Sequence, residues 1–193
     1  HTAYRRQRQM CIRDRLISYK DVKIISNNLI GKCDSLSFNQ NDSLIKLYGS
    51  PVIWVDGYQV TSDTIILTYF DNEIKNFYLP NNPFICFKSD TTIFKQIKGN
   101  EMSGTFFQNI LQKISVHSQG ESIYLVKESN KNIGLNNTKS PQILIIFFKG
   151  KVKEIIYSGN AESITVPIKE ITEEKKYLKN FYWRWDEKLE ILN

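Results

Sequence analysis

Two histidines and three cysteines in 193 residues leave little material for a zinc site, which needs three or four such ligands held together. No run of eighteen apolar residues occurs, so nothing in the sequence reads as a membrane-crossing helix. No apolar segment near residue 1 resembles a secretory leader. Gly31-Lys32 is followed by Cys33 and lacks the upstream glycine of a phosphate-binding loop. Asp71 and Glu73 lie in a turn with no apolar pocket to raise one carboxyl pKa, so paired acid and base roles have no support. His117, in Ile114-Ser115-Val116-His117, reads as an exposed strand residue. With neither nucleophile, base nor metal cluster, the chain reads as a non-enzyme without cofactor or metal.

Charge of one sign is also scarcer than it first looks. The formal charge is +6, but the first fifteen residues hold five arginines against one aspartate, leaving +2 for the rest. That is a weak electrostatic footprint for nucleic acid. Arg5 to Arg15 resembles a translated sequencing adapter joined to an incomplete gene, and residues 1–15 are expected to be non-native. The alternative is a basic arm for phosphates.

What is present is a repeat, written about four times between residues 21 and 166. Cys33-Asp34-Ser35-Leu36-Ser37-Phe38, the turn Asn41-Asp42-Ser43 and Leu44 to Tyr48 match Ser62-Asp63-Thr64-Ile65-Ile66-Leu67, the turn Asp71-Asn72-Glu73 and Ile74 to Leu79. Ser50-Pro51-Val52-Ile53-Trp54 then matches Asn82-Pro83-Phe84-Ile85-Cys86, and Gln108-Asn109 and Lys149-Gly150 fill later turn slots. A period of roughly 30 to 40 residues marks units that cannot bury their apolar faces alone.

Alternating apolar and polar residues from Val22 to Val166 predict strands almost throughout. Asp56-Gly57, Asp71-Asn72, Gln108-Asn109 and Lys149-Gly150 tolerate positive φ, so consecutive strands are expected to pair antiparallel through hairpins. Val52-Ile53-Trp54-Val55, Phe84-Ile85-Cys86-Phe87 and Ile143 to Phe148 are apolar on both faces, and the second face of each needs a partner: another sheet, a stacked subunit or an apolar ligand. Asp34 and Asp63 are expected to accept backbone N–H groups where the chain enters a strand, since too few oxygen donors surround them for calcium. Cys33 and Cys86 read as small core residues; a disulfide between them requires adjacent strands. A short helix is expected over Glu170 to Asn180. The aromatics of Phe181-Tyr182-Trp183-Arg184-Trp185 are read as packing the tail against the open end of the sheet, with protein docking as the alternative.

Three features together carry a family resemblance: the Asp34-Ser35-Leu36 and Asp63-Thr64-Ile65 units, Leu47-Tyr48-Gly49-Ser50-Pro51-Val52-Ile53-Trp54, and Lys98-Gly99-Asn100-Glu101-Met102-Ser103-Gly104-Thr105-Phe106-Phe107. In order and spacing they resemble the OstA/LptA family of lipopolysaccharide-transport proteins, most closely its longer OstA-like branch. The resemblance covers about residues 21–166 and the tail around Phe181 to Trp185, and it implies an all-β fold, an elongated, slightly open antiparallel β-jellyroll; the domain is expected over residues 16–166, with the short C-terminal helix and aromatic tail over 167–193. It also implies a periplasmic location, a signal peptide upstream of this sequence, lipopolysaccharide as ligand and neighbouring jellyrolls as partners through edge-strand pairing. The family's apolar trough holds acyl chains, and alternation and size select as its candidates Phe38, Leu47, Trp54, Ile65, Leu67, Phe77, Phe87, Phe106, Ile114, Leu144, Ile146 and Phe148. Ordinary core packing is the competing reading for each. The rival function is a structural or adhesive β-repeat module binding protein or glycan on its outer face, which an interior filled by its own side chains would favour. A β-helix enzyme ranks third, because it needs parallel strands and a clustered charged face.

Overall fold

The computed structural model describes residues 15–26, 29–71, 73–88, 93–129 and 131–188. Residues 1–14, most of the segment expected to be non-native, lie outside them. Among the described residues sixteen strands form, all paired antiparallel within one sheet. β1 (Arg15–Ile25) lies along one side of β2 (Leu29–Asn39). On its other side β2 divides: Leu29 to Lys32 pair with β4 (Val52–Val55), and Ser35 to Asn39 pair with β3 (Leu44–Tyr48). Two ladders grow from this fork.

The first ladder continues from β3 through β6 (Thr64–Phe70), β7 (Glu73–Leu79), β10 (Glu101–Phe107), β11 (Ile110–Ser118) and β14 (Gln142–Phe148) to β15 (Lys151–Ser158). The second continues from β4 through β5 (Tyr58–Thr61), β8 (Phe84–Lys88), β9 (Phe94–Lys98), β12 (Gly120–Glu128) and β13 (Lys131–Ser140) to β16 (Glu162–Pro167). The chain makes a hairpin in one ladder, crosses, and makes a hairpin in the other. Each repeat of the sequence is one such pair.

Local chemistry sets this path. The first ladder's hairpins turn at Ser43, Asp71, Gln108-Asn109 and Lys149-Gly150, and the second's first hairpin turns at Asp56-Gly57; all these residues have positive φ. Such left-handed residues give hairpins the twist their strands require. The recurring Cys33-Asp34 and Ser62-Asp63 both stand where the chain passes from the second ladder to the first. Here the aspartates differ from expectation. Their own backbone N–H groups donate to the crossing strands' carbonyls, Asp34 to Gly49 (3.3 Å) and Asp63 to Asn81 (3.1 Å). The Asp63 carboxylate accepts from the Asn82 side-chain amide at 2.8 Å, so this side chain ties one crossing to the next.

The helix expected over 170–180 is replaced by short 3₁₀ turns, Ile168–Glu170 and Glu173–Lys176, with a third at Trp185–Glu187. The tail cannot coil further because the sheet takes its backbone groups: Gln96 accepts from the Leu178 N–H and donates to the Lys176 carbonyl. Cys33 and Cys86 are both free and buried, Cys33 in the interior between the ladders and Cys86 in the cluster under the tail. Burial pushes the Cys86 thiol up to about 12 and raises that of Cys33.

Candidate functional site

The two ladders face each other across a continuous apolar interior. Alternate side chains of each strand enter it: Leu47 from β3, Ile53 and Val55 from β4, Ile65 and Leu67 from β6, Phe77 from β7, Phe106 from β10, and Ile143, Ile145 and Phe147 from β14. The aromatics meet edge to face or tilted, Phe77 with Phe106 at 5.8 Å, Tyr58 with Phe87 at 4.8 Å and Tyr58 with Phe147 at 5.5 Å between centroids. The last of these contacts spans the ladders, from β5 to β14. Gly104 opposes Phe77 across β10 and β7, and a Cβ built there would sit 2.2 Å from the Phe77 ring. The glycine in the resemblance motif is thus the space that this phenyl ring occupies.

At the hairpin side a hydrogen bond from the Leu111 N–H to the Asp56 carboxylate, 3.1 Å long, clasps the interior. Towards β15 a narrow apolar gap remains between Tyr58, Phe87, Ile97, Ile114, Phe147 and Ile155. Its free volume is about 30 Å³, room for about one or two water molecules. Lys95 is the one charged residue lining it; burial and the nearby Lys127 lower its ammonium pKa, and its Nζ sits 5.7 Å from the Phe87 ring centroid.

The far end of the second ladder turns polar inside. Ser122 bonds the Tyr157 hydroxyl at 2.8 Å, joining β12 to β15, and burial raises the Tyr157 pKa while that bond opposes the rise. Beyond it the Asn136 amide donates to Ser163 (2.8 Å) and Thr165 (2.9 Å), and Thr138 donates to the Asn136 carbonyl oxygen. The apolar interior is therefore stoppered on this side by a satisfied hydroxyl and amide network, the condition under which buried polar groups are tolerated.

Of the residues selected from sequence, Leu47, Ile65, Leu67, Phe77, Phe106 and Ile114 lie together in the interior, with Phe38 and Phe87 half-buried against it. Trp54 does not join them: with Ile30 and Val52 it faces the other side of the sheet, under Trp185 of the tail. Leu144, Ile146 and Phe148 are also corrected. Ile143, Ile145 and Phe147 point inward, which puts the selected three on the outer face. On β4 no polar residue marks which set faces out, and choosing the larger side chain takes the outward Trp54. On β14 the two sets are equal in size, so size decides nothing, and only Gln142, in phase with Leu144, marks the outward face.

The tail supplies what alternation could not reveal, a strap across the outside of the second ladder. Gln59, Cys86 and Gln96 lie in one cross-strand row on β5, β8 and β9. Gln59 donates to the Tyr182 carbonyl at 2.8 Å and accepts from the Arg184 N–H at 2.7 Å, and Gln96 holds Lys176 and Leu178 in the same manner. Leu178, Phe181 and Trp183 then cover Phe84, Cys86 and Ile123. The aromatic tail does pack on the sheet, but along its outer face and not at its open end.

A solved structure described as the crystal structure of LptH, "the LptA homologous periplasmic component of the conserved lipopolysaccharide transport device" from Pseudomonas aeruginosa, superposes with a TM-score of 0.52. The match covers 72% of this chain and 93% of that one, at 11% identity. This chain shares the LptA-like fold. No protein-family model and no curated protein matches the sequence, so the likeness is one of architecture. Within it, sequence reasoning missed Asp56, Tyr58, Phe147 and the two glutamines. A glutamine inside a strand otherwise rich in apolar residues was the available signal for the latter.

Proposed function

We propose that this chain is a non-enzymatic carrier or bridge segment that holds lipopolysaccharide acyl chains between its two ladders, working in the periplasm in rows of edge-paired jellyrolls. The observation that carries this reading is the apolar interior, in a fold shared with a periplasmic component of a lipopolysaccharide transport device. Binding needs no reactive group. Each buried methylene contributes about 0.8 kcal/mol, so a chain of about a dozen offers on the order of 10 kcal/mol towards parting the ladders. Parting is required, because the free gap of about 30 Å³ holds no acyl chain as it stands. The ladders join through β2 alone among the described strand pairings, and parting them further out breaks the Leu111–Asp56 and Ser122–Tyr157 hydrogen bonds. β15 and β16 end the ladders with edges that no described strand pairs, and β1 offers another, beside exposed Leu16, Ile17 and Tyr19. Such edges add strands from a partner without special side chains.

The test is lipid mass spectrometry on the protein purified from an envelope-containing host, with a photo-reactive residue at Phe87 or at Tyr182. Lipid A is expected to cross-link from the interior Phe87 position and not from Tyr182, which is exposed on the strap. Its absence under conditions where LptH retains it would overturn the reading.

A second reading has one observation in its favour. Roomier hollows lie outside, among them two grooves of about 530 and 690 Å³ along the crossings, lined among others by Asp63, Asn82, Lys98, Tyr182 and Glu162. They suit the structural or adhesive module, with a hydroxyl-rich glycan as ligand. Glycan binding together with an interior that never cross-links lipid would establish that alternative.

A further inference from the structure

Three strands of this sheet are apolar on both faces, and they do not share one fate. The second faces of β4 and β8 lie under the tail, Trp54 beneath Trp185 and Phe84 against Phe181. The second face of β14 carries Leu144, Ile146 and Phe148, and Phe148 is 62% exposed. Cross-strand neighbours extend this patch: Ile156 pairs with Leu144, and the β10–β11 hairpin adds Phe107 opposite Ile110.

The hairpins make the pattern regular. Phe70, Phe107 and Phe148 each end the outgoing strand just before a first-ladder turn, and they are 65%, 64% and 62% exposed. Their strands are two apart, which spaces the rings by about 10 Å along one rim. Interior packing gives no reason for phenyl groups there.

The charges around the patch say what it meets. β11, β14, β15 and their turn carry Lys113, Lys149, Lys151 and Lys153 against Glu154 alone. Lys149 lies with its Nζ 5.5 Å over the Phe148 ring, stem along apolar surface and charge outward, the arrangement that lets a lysine reach headgroups while its neighbour enters an apolar layer. A flat aromatic rim with lysines matches an anionic lipid surface, which takes rings at its interface and attracts cations.

We infer that the outer face of β10, β11, β14 and β15 is a docking surface for an anionic lipid bilayer, with Phe107 and Phe148 as inserted anchors and Lys149 and Lys151 as headgroup contacts. The surface lies outside the interior and stands independently of what the interior holds.

Sedimentation of the whole chain with phosphatidylcholine vesicles, with and without phosphatidylglycerol, tests it. Co-sedimentation is expected only with the anionic vesicles and falls with added salt. The double variant Phe107→Ser, Phe148→Ser should weaken it about tenfold or more, since two apolar anchors leave the lipid. Lys149→Glu with Lys151→Glu should abolish the preference for phosphatidylglycerol, and Tyr182→Ser on the strapped face should change nothing. Circular dichroism matching the parent checks that each variant is folded. Binding unaffected by either double variant, or no binding to any vesicle, would overturn the inference. So would a dimer in velocity sedimentation that the phenylalanine variant dissolves, because the patch would then belong to a second copy of this chain.

Discussion

The two ladders are written in one repeat and share one interior, yet their outsides are finished in different ways. The second ladder is bound by a strap that two buried glutamines hold by its backbone and that aromatic side chains seal. The first ladder has no such cover among the described residues and shows a row of phenyl rings instead. A strand that is apolar on both faces thus announces a cover without saying which. On β4 and β8 the cover is the chain's own tail; on β14 no described residue supplies one.

The largest expected effect comes from removing one of the two finishes. A chain ending at residue 170 loses Leu178, Phe181, Trp183 and Trp185 from the second ladder, at a cost on the order of 5 kcal/mol by apolar area. Urea unfolding should show that loss, and a hydrophobic dye should bind the uncovered face. By contrast, Phe107→Ser on the bare ladder should stay within about 0.5 kcal/mol of the parent, as exposed positions do. If both changes cost the same, the distinction between covered and bare faces fails.

The interior common to both ladders gives the next effect. Gly104→Ala pushes a methyl group into the Phe77 ring, whose nearest atoms would lie 2.2 Å away, and overpacking of this kind costs about 1–3 kcal/mol. Phe77→Leu alone should also destabilise, but the two together should recover part of the loss. Additive losses in a double-mutant cycle would mean that glycine serves the backbone and not the ring.

Much of this was legible in the sequence, for identifiable reasons. Hairpins were, because Asp56-Gly57, Gln108-Asn109 and Lys149-Gly150 advertise positive φ. The interior positions on β3, β6 and β7 were, because Lys46, Thr68 and Asn76 mark the opposite face. Trp54 went to the wrong side where that marking stops, and Leu144, Ile146 and Phe148 where it thins to Gln142 at the strand's start. The strap was illegible for another reason: its hydrogen bonds to Gln59 and Gln96 join residues eighty or more positions apart, and no local pattern in 170–188 records either glutamine.

Those glutamines give the third effect. Gln96→Leu keeps the size but leaves the Leu178 N–H and the Lys176 carbonyl unpaired at a buried place, costing about 1–3 kcal/mol. Gln59→Leu should do the same to Tyr182 and Arg184. Hydrogen exchange is the decisive measurement. Protection should fall in the strap and persist in β14 and β15, and a uniform loss over both ladders would show that the strap is no separate unit.

The smallest effect lies at the strap's end, where a charge cluster sets how the covered face responds to acid. Glu187 accepts two hydrogen bonds from Arg184, at 2.6 and 2.9 Å, and one from Lys32 of β2 at 3.2 Å. These bonds, Arg184 first, hold the Glu187 carboxyl at about 2 against its ordinary 4.5. Because the folded pKa is depressed, the stabilisation is fully present above pH 4.5 and is lost as pH falls through about 2. Arg184 also donates to the Ser50 carbonyl, so protonating Glu187 frees the strap from β2 but not from the crossing. Stacked Trp183 and Trp185, 5.1 Å apart, report the change by fluorescence. Between pH 4.5 and 2 the parent's signal should shift while Glu187→Gln, already without the carboxylate, shows a flatter curve. Other carboxylates titrate in both proteins, so the difference between the two curves isolates this group. Identical curves would mean that the Glu187 carboxylate does not hold the strap's end, which then rests on the tryptophans and on the Arg184 bonds to Ser50 and Gln59.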